Sequence, residues 1–198
     1  MLPVDETLVS AFLHLPTPED LKWIPRPAES HHAFGAGMLL IAALLAAESL
    51  SGKVWHRSMF RRMLFPGILI FLGWGMVLVA FIEPNARLVH VTMGLPMIAG
   101  GWAEARYRAG ALDRKYADIL IVPALVLASI DTLGFHVSGA TAVIITHVGL
   151  ALMVLVLAGL RLYQSGQPTS LNRSLLISVA LAIVGLDLWV DAVFQSNI

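Results

Sequence analysis

Residues 30–52 read SHHAFGAGMLLIAALLAAESLSG, a segment that opens with histidine, continues through a long apolar run and closes with glycine. The run has about the 20-residue length that a helix needs to cross a bilayer. The same arrangement returns twice, from His90 to Gly110 and from His147 to Gly166. Counted from His32, the intervals from histidine to glycine are 20, 20 and 19 residues. The segment is therefore the first unit of a threefold repeat.

Each unit continues in the same way. A basic loop follows the glycine, and a second apolar segment then ends in acidic residues, at Glu83, at Asp131 and at Asp187 with Asp191. This order predicts three antiparallel helical hairpins, each with histidine and carboxylate at the same membrane face. Ionisable groups in an apolar layer are costly unless they are paired or bound, so this layer is the expected place for function.

The composition indicates an all-α integral membrane protein. Of the 198 residues, 58% are hydrophobic and 13% are charged, and the mean hydropathy is +0.79. Both values lie outside the range of ordinary soluble domains. We predict one six-helix transmembrane bundle over residues 29–198, preceded by an extracytoplasmic or interfacial extension over residues 1–28. The predicted helices are 30–50, 63–83, 86–106, 116–135, 140–163 and 174–194.

The basic residues predict the orientation. Ten of the 13 Lys and Arg residues lie at one set of helix ends, and only Lys22, Arg26 and Arg87 lie at the other. The positive-inside rule then places both termini and the histidine layer on the extracytoplasmic side of a multi-pass inner-membrane protein. The ten are Lys53, Arg57, Arg61, Arg62, Arg106, Arg108, Arg114, Lys115, Arg161 and Arg173.

Several functional classes are disfavoured by what the sequence lacks. The absence of cysteine removes disulfides, iron–sulfur clusters and thiolate metal sites. The zero net charge gives no support for nucleic-acid binding. Toward the inner side, Glu48 and Glu104 lie at helix ends, and the sequence shows essentially no charge between them and the outer layer. Because carriers of ions or protons need polar relays across the whole membrane, we do not expect a transporter.

The outer layer has the chemistry of a metal site. His90 and His147 lie about 10 Å below the starts of their helices, and Asp131 and Asp187 share that depth. The positive end of a helix dipole disfavours protonated histidine. A neutral imidazole, which is also the form that ligates metals, is therefore favoured at this depth.

Three functions follow as hypotheses, and the sequence names neither a substrate nor a catalytic residue. The first is a copper or iron site for redox chemistry or electron transfer. The second is a b-type haem protein that exchanges electrons with quinone, with two of His32, His90 and His147 as axial ligands. The third is a non-catalytic subunit or assembly factor, in which the layer only pairs helices by hydrogen bonds. Expected partners are the bilayer, quinone, other membrane subunits or a second copy. The candidate metal ligands are His31, His32, His90, His147, Asp131, Asp187, His136 and Asp191.

A short stretch also resembles a known metal set. Asp131, His136 and His147 resemble the Asp-His-His ligands of the C subunit of particulate methane and ammonia monooxygenases. The gaps here, five and 11 residues, differ from that family's spacing. The resemblance covers about a tenth of the chain, so it implies nothing about a substrate. Histidines near the ends of apolar helices are similar, at the level of class only, to bacterial copper-uptake proteins and b-type cytochromes.

Overall fold

The computed structural model describes residues 27–51, 55, 57–82, 87–135, 141–165 and 171–196. These residues form six α-helices and no strand. The predicted second helix begins too late, because the helix already starts at Met59. Residues 1–26 of the predicted extension lie outside the described residues. The helices are α1 (Pro27–Ser51), α2 (Met59–Ile82), α3 (Arg87–Arg108), α4 (Arg114–Phe135), α5 (Thr141–Ser165) and α6 (Leu171–Ser196).

Four of these helices are long and apolar enough to cross a membrane, which is compatible with a multi-pass membrane protein. The qualifying segments are Ser30–Ser51, Met59–Ile82, His147–Gln164 and Leu175–Val193. The helices α3 and α4 carry more charge near the ends where they meet. That these two also cross the bilayer, and that both termini are extracytoplasmic, stay predictions.

The six helices form a closed ring. Each helix packs against its neighbours in the chain, and α1 packs against α6. The most extensive contacts join α1 to α6 and α2 to α3, whereas the contact between α1 and α2 is the sparsest of the ring. The two helices of each predicted hairpin are in contact, but the most extensive contacts join other pairs, and the threefold hairpin repeat stays a prediction.

The two ends of the ring differ in character. At one end, the start of α1 and the start of α5 meet the end of α6, through His31, His147 and Asp191. We call this the histidine end. At the other, the ends of α1, α3 and α5 meet the starts of α2 and α4 through arginine side chains. We call this the basic end. Neighbouring helices therefore run in alternating directions.

Pairs of glycines lie at the two most extensive helix contacts. A Cβ atom on Gly35 would lie 2.7 Å from the Gly185 carbonyl oxygen, and one on Gly185 would lie 2.9 Å from the Gly35 carbonyl oxygen. The same reciprocal approach joins Gly73 of α2 to Gly94 of α3, at 2.8 and 2.7 Å. Small residues at such positions let helix backbones approach closely. The resulting van der Waals contacts stabilise helix association in a membrane, where the hydrophobic effect does not.

Candidate functional site

The ring encloses a central cavity of about 210 Å³ lined by side chains from all six helices. Most of its wall is aliphatic or thioether carbon, from residues such as Leu69, Met93 and Val154. Among the described residues, polar lining groups occur only toward the two ends. His31, His90, His147 and Thr132 lie at the histidine end, and Arg161 lies at the basic end.

A carboxylate joins two of the histidines. Asp191 Oδ2 lies 2.8 Å from His31 Nδ1, and Asp191 Oδ1 lies 3.6 Å from His147 Nδ1. The two imidazole rings lie 6.4 Å apart between centroids. All three side chains are largely buried. His31 Nδ1 is at ion-pair distance from the carboxylate, but its N–H is not aligned for a hydrogen bond. The carboxylate of α6 thus holds α1 and α5 together at this end.

The structure separates the two adjacent histidines of α1. His31 lines the cavity. His32 instead packs edge-on against Trp189, with the ring centroids 5.2 Å apart, and it does not line the cavity. His90 of α3 is 9% exposed and lines the cavity. The sequence predicts His32, His90 and His147 as cofactor ligands. The structure places His90 and His147 on the cavity wall, but the third histidine there is His31 and not its neighbour His32.

The second acidic residue of α6 has a different environment. Asp187 lies one turn before Asp191, and its Oδ2 atom is buried with no hydrogen-bond partner among the described residues. A buried acceptor without a donor is costly. Asp187 and Asp191 are four residues apart on α6 and therefore face the same way. A proton shared between the two carboxylates, or a bound cation, would remove that cost.

The two remaining predicted ligands lie outside the described side chains. The backbone of Asp131 belongs to α4, but its side chain lies outside the described part of the structure, and His136 lies outside it entirely. Among the described side chains, no group of three or more histidines, aspartates or glutamates is arranged to hold a metal ion.

The basic end holds a buried ionic network that the sequence analysis did not anticipate. Glu104 of α3 is 1% exposed. It accepts hydrogen bonds from Arg161 of α5 and, at 2.8 Å, from Arg108 of its own helix. Arg161 also donates to Asp118 of α4 at 2.6 Å. A single buried carboxylate is thus compensated by two guanidinium groups, as buried charges require.

The network extends to α1 and α2. Arg108 Nη1 lies 2.9 Å from Glu48 Oε2 and 3.4 Å from the Arg62 carbonyl oxygen. Arg62 in turn donates to the Arg108 carbonyl oxygen at 2.9 Å. Arg114 completes the set from the start of α4, 3.3 Å from Asp118. The basic end is therefore a charged layer shared by five helices, and it lies at the level of Glu48 and Glu104, the inner helix ends.

Two sequence signals point to this network. Glu104 and Arg108, and likewise Arg114 and Asp118, have the spacing of four residues that pairs side chains on a helix. Arg161 also lies within the apolar segment His147–Gln164, where an unpaired arginine would be expensive.

No protein-family model matches the chain, and no curated protein and no solved structure is significantly similar to it.

Proposed function

We propose that this chain is a membrane protein that binds a small lipid-soluble molecule with a polar head, of the quinone class, in the central cavity. One observation carries the proposal: an apolar cavity enclosed by six helices has its histidines gathered at one end. An apolar pocket with a few convergent polar groups is the usual form of a small-molecule site.

The histidine end suits the polar head of such a ligand. Imidazole N–H groups donate to carbonyl oxygens, and an imidazole can exchange a proton near neutral pH. Asp191 lies against Nδ1 of His31 and His147, so it restricts how both rings turn. A carboxylate that orients an imidazole in this way is common around functional histidines. At the opposite end, Arg161 is already held by Glu104 and Asp118.

The size of the cavity limits the ligand. Its volume of about 210 Å³ is below the usual range for drug-sized ligands, about 300–1,000 Å³. A single six-membered ring with a short substituent suits this space better than a porphyrin does. The geometry therefore supports the quinone part of the second sequence hypothesis more than its haem part.

Two neighbouring residues of α4 provide a matched test. Ala128 lines the cavity, whereas Leu127 is 54% exposed on the outer surface. Ala128→Phe should weaken binding of a short-chain benzoquinone by at least about tenfold, equivalent to about 1.4 kcal/mol. Leu127→Phe should leave binding unchanged. Binding is measured by equilibrium dialysis of the detergent-purified protein, and thermal unfolding reports whether both variants are folded.

The milder change Ala128→Leu keeps this test decisive if the phenylalanine variant does not fold. It should lower the affinity in the same direction, because it also reduces the cavity volume. Equal affinity of the wild type and a folded Ala128 variant would refute a ligand in this cavity.

A transition-metal ion, copper or iron, is a second candidate, favoured by a specific observation. His31, His90 and His147 come from α1, α3 and α5, which alternate around the ring, and all three line the same cavity. Imidazole nitrogens suit both metals. The described residues form no complete ligand group, so a metal site needs ligands from the undescribed side chains, such as Asp131.

Metal analysis of protein purified without chelator tests that candidate directly. Less than about a tenth of an equivalent of any metal would refute it. An absorption spectrum checks the haem alternative at the same time, because bound haem gives a Soret band.

The double variant His90→Gln, His147→Gln distinguishes the quinone, metal and haem candidates from a purely structural subunit. Glutamine can still form hydrogen bonds between helices. A non-catalytic subunit or assembly factor should therefore keep its fold and its assembly in this variant, with no ligand to lose. A quinone or metal site should lose its ligand while the bundle stays folded.

A further inference from the structure

The surface of α2 carries a second, separate groove. It has a volume of about 260 Å³ and is lined by Phe60, Met63, Leu64, Gly67, Ile68 and Phe71. The two phenylalanines are 73% and 76% exposed, so they form raised walls on the outside of the ring. Between them lies Gly67, where an added Cβ would meet no atom within 4 Å. The missing side chain creates the floor of the groove.

Two arginines lie at the basic end of this groove. Arg61 precedes Leu64 by three residues within α2, so it continues the stripe of residues that lines the groove. Arg57 lies in the turn just before this helix begins. Both side chains are exposed. Unlike Arg108, neither has a carboxylate partner among the described residues.

We propose that this groove binds an acyl chain of an anionic phospholipid whose phosphate lies between Arg57 and Arg61. The segment Met59–Ile82 is apolar and long enough to cross a membrane. Its basic end therefore lies where lipid head groups are found, and the groove lies at the depth of the first part of the acyl chains. Basic pockets next to membrane helices recognise anionic head groups in this way. The apolar groove directly below the arginines favours a lipid over a free phosphate ion.

The test compares two lipids with identical acyl chains, phosphatidylglycerol and phosphatidylcholine, on the delipidated full-length protein in detergent. Native mass spectrometry measures how much of each is retained. The wild type should retain phosphatidylglycerol preferentially. The double variant Arg57→Gln, Arg61→Gln should lower that affinity by about fivefold for each arginine. Gly67→Leu fills the groove and should reduce retention of both lipids.

Matched controls are available in the same chain. Gly159 is also an exposed helix glycine where an added Cβ would meet no atom within 4 Å, so Gly159→Leu should bind as the wild type does. Arg106 is exposed at the basic end, and Arg106→Gln should keep the lipid preference. Equal retention by Gly67→Leu and Gly159→Leu would overturn the proposal. Displacement of phosphatidylglycerol by glycerol phosphate, which lacks acyl chains, would overturn it as well, since a free phosphate would then suffice.

Discussion

Replacement of Gly35 by alanine tests whether the contact between α1 and α6 closes the ring. The new Cβ would lie 2.3 Å from Trp189 Cδ1 and 2.7 Å from the Gly185 carbonyl oxygen. The indole can turn away, but the carbonyl belongs to the helix backbone. Ordinary contact begins near 3.4 Å, so the two helices must separate by about 0.7 Å at this point.

The expected magnitude combines two opposing effects. Overpacking of a close contact costs about 1–3 kcal/mol. Alanine is favoured over glycine within a helix by about 1 kcal/mol in water, which offsets part of that cost. The control is Gly159→Ala, where the same gain in helix propensity comes without any contact within 4 Å. The free energy of unfolding of Gly35→Ala should therefore lie about 1–3 kcal/mol below that of Gly159→Ala.

The assay is reversible unfolding in mixed micelles with increasing sodium dodecyl sulfate, followed by circular dichroism. Gly73→Ala serves as a replicate at the second close contact, because its Cβ would lie 2.8 Å from the Gly94 carbonyl oxygen. If Gly35→Ala and Gly73→Ala unfolded at the same detergent fraction as Gly159→Ala, the close approach of these helices would be refuted.

The other predictions concern the polar contacts and the orientation. Arg161→Met should lower the free energy of unfolding by up to about 3–5 kcal/mol, because it leaves Glu104 with Arg108 alone and Asp118 with Arg114 alone; adding Glu104→Gln should recover part of that loss in the same unfolding assay, and no recovery would argue against the pairing of Arg161 with Glu104. Ser129→Ala should lower the free energy of unfolding by about 0.6–1.7 kcal/mol, since the buried hydroxyl donates to the Ala151 carbonyl oxygen of α5 at 2.7 Å; an unchanged unfolding midpoint would contradict a contribution of this hydrogen bond to stability. In this cysteine-free chain, a cysteine replacing Ser196 should react with an impermeant reagent from outside and one replacing Ser51 should not, and the reverse pattern would invert the orientation.

The helices could be predicted from the sequence because a bilayer imposes a minimum apolar length. The runs around residues 30–50 and 63–83 are long enough to be recognised without any homologue. Rotation about the helix axis is harder to predict. His31 and His32 differ by about 100° around α1, and α1 is apolar on all sides, so no amphipathic pattern shows which histidine faces the cavity. Only the position of α6, with Asp191, distinguishes them.

The ionic network was missed for a related reason. Glu104 and Arg108 lie near the end of α3, where charged residues normally reach the lipid head groups, so their position in the sequence does not indicate burial. Burial there comes from five helices converging on one point, which is a property of the ring. The order of the helices around the ring is likewise a consequence of packing between α1 and α6, and residues so far apart in sequence leave no periodic signal.

Closure of the ring by its first and last helices has a consequence for biogenesis. Chains are made from the N-terminus, so α1 must wait for the rest of the polypeptide before α6 can fill its place. Until then, His31 lacks the carboxylate of Asp191, and the space that becomes the cavity stands open to lipid. The glycine contact between α1 and α6 therefore forms only after α6 has been made. Variants at Gly35 or Gly185 should accumulate as an inserted but unsealed intermediate, which membrane quality-control proteases would encounter first.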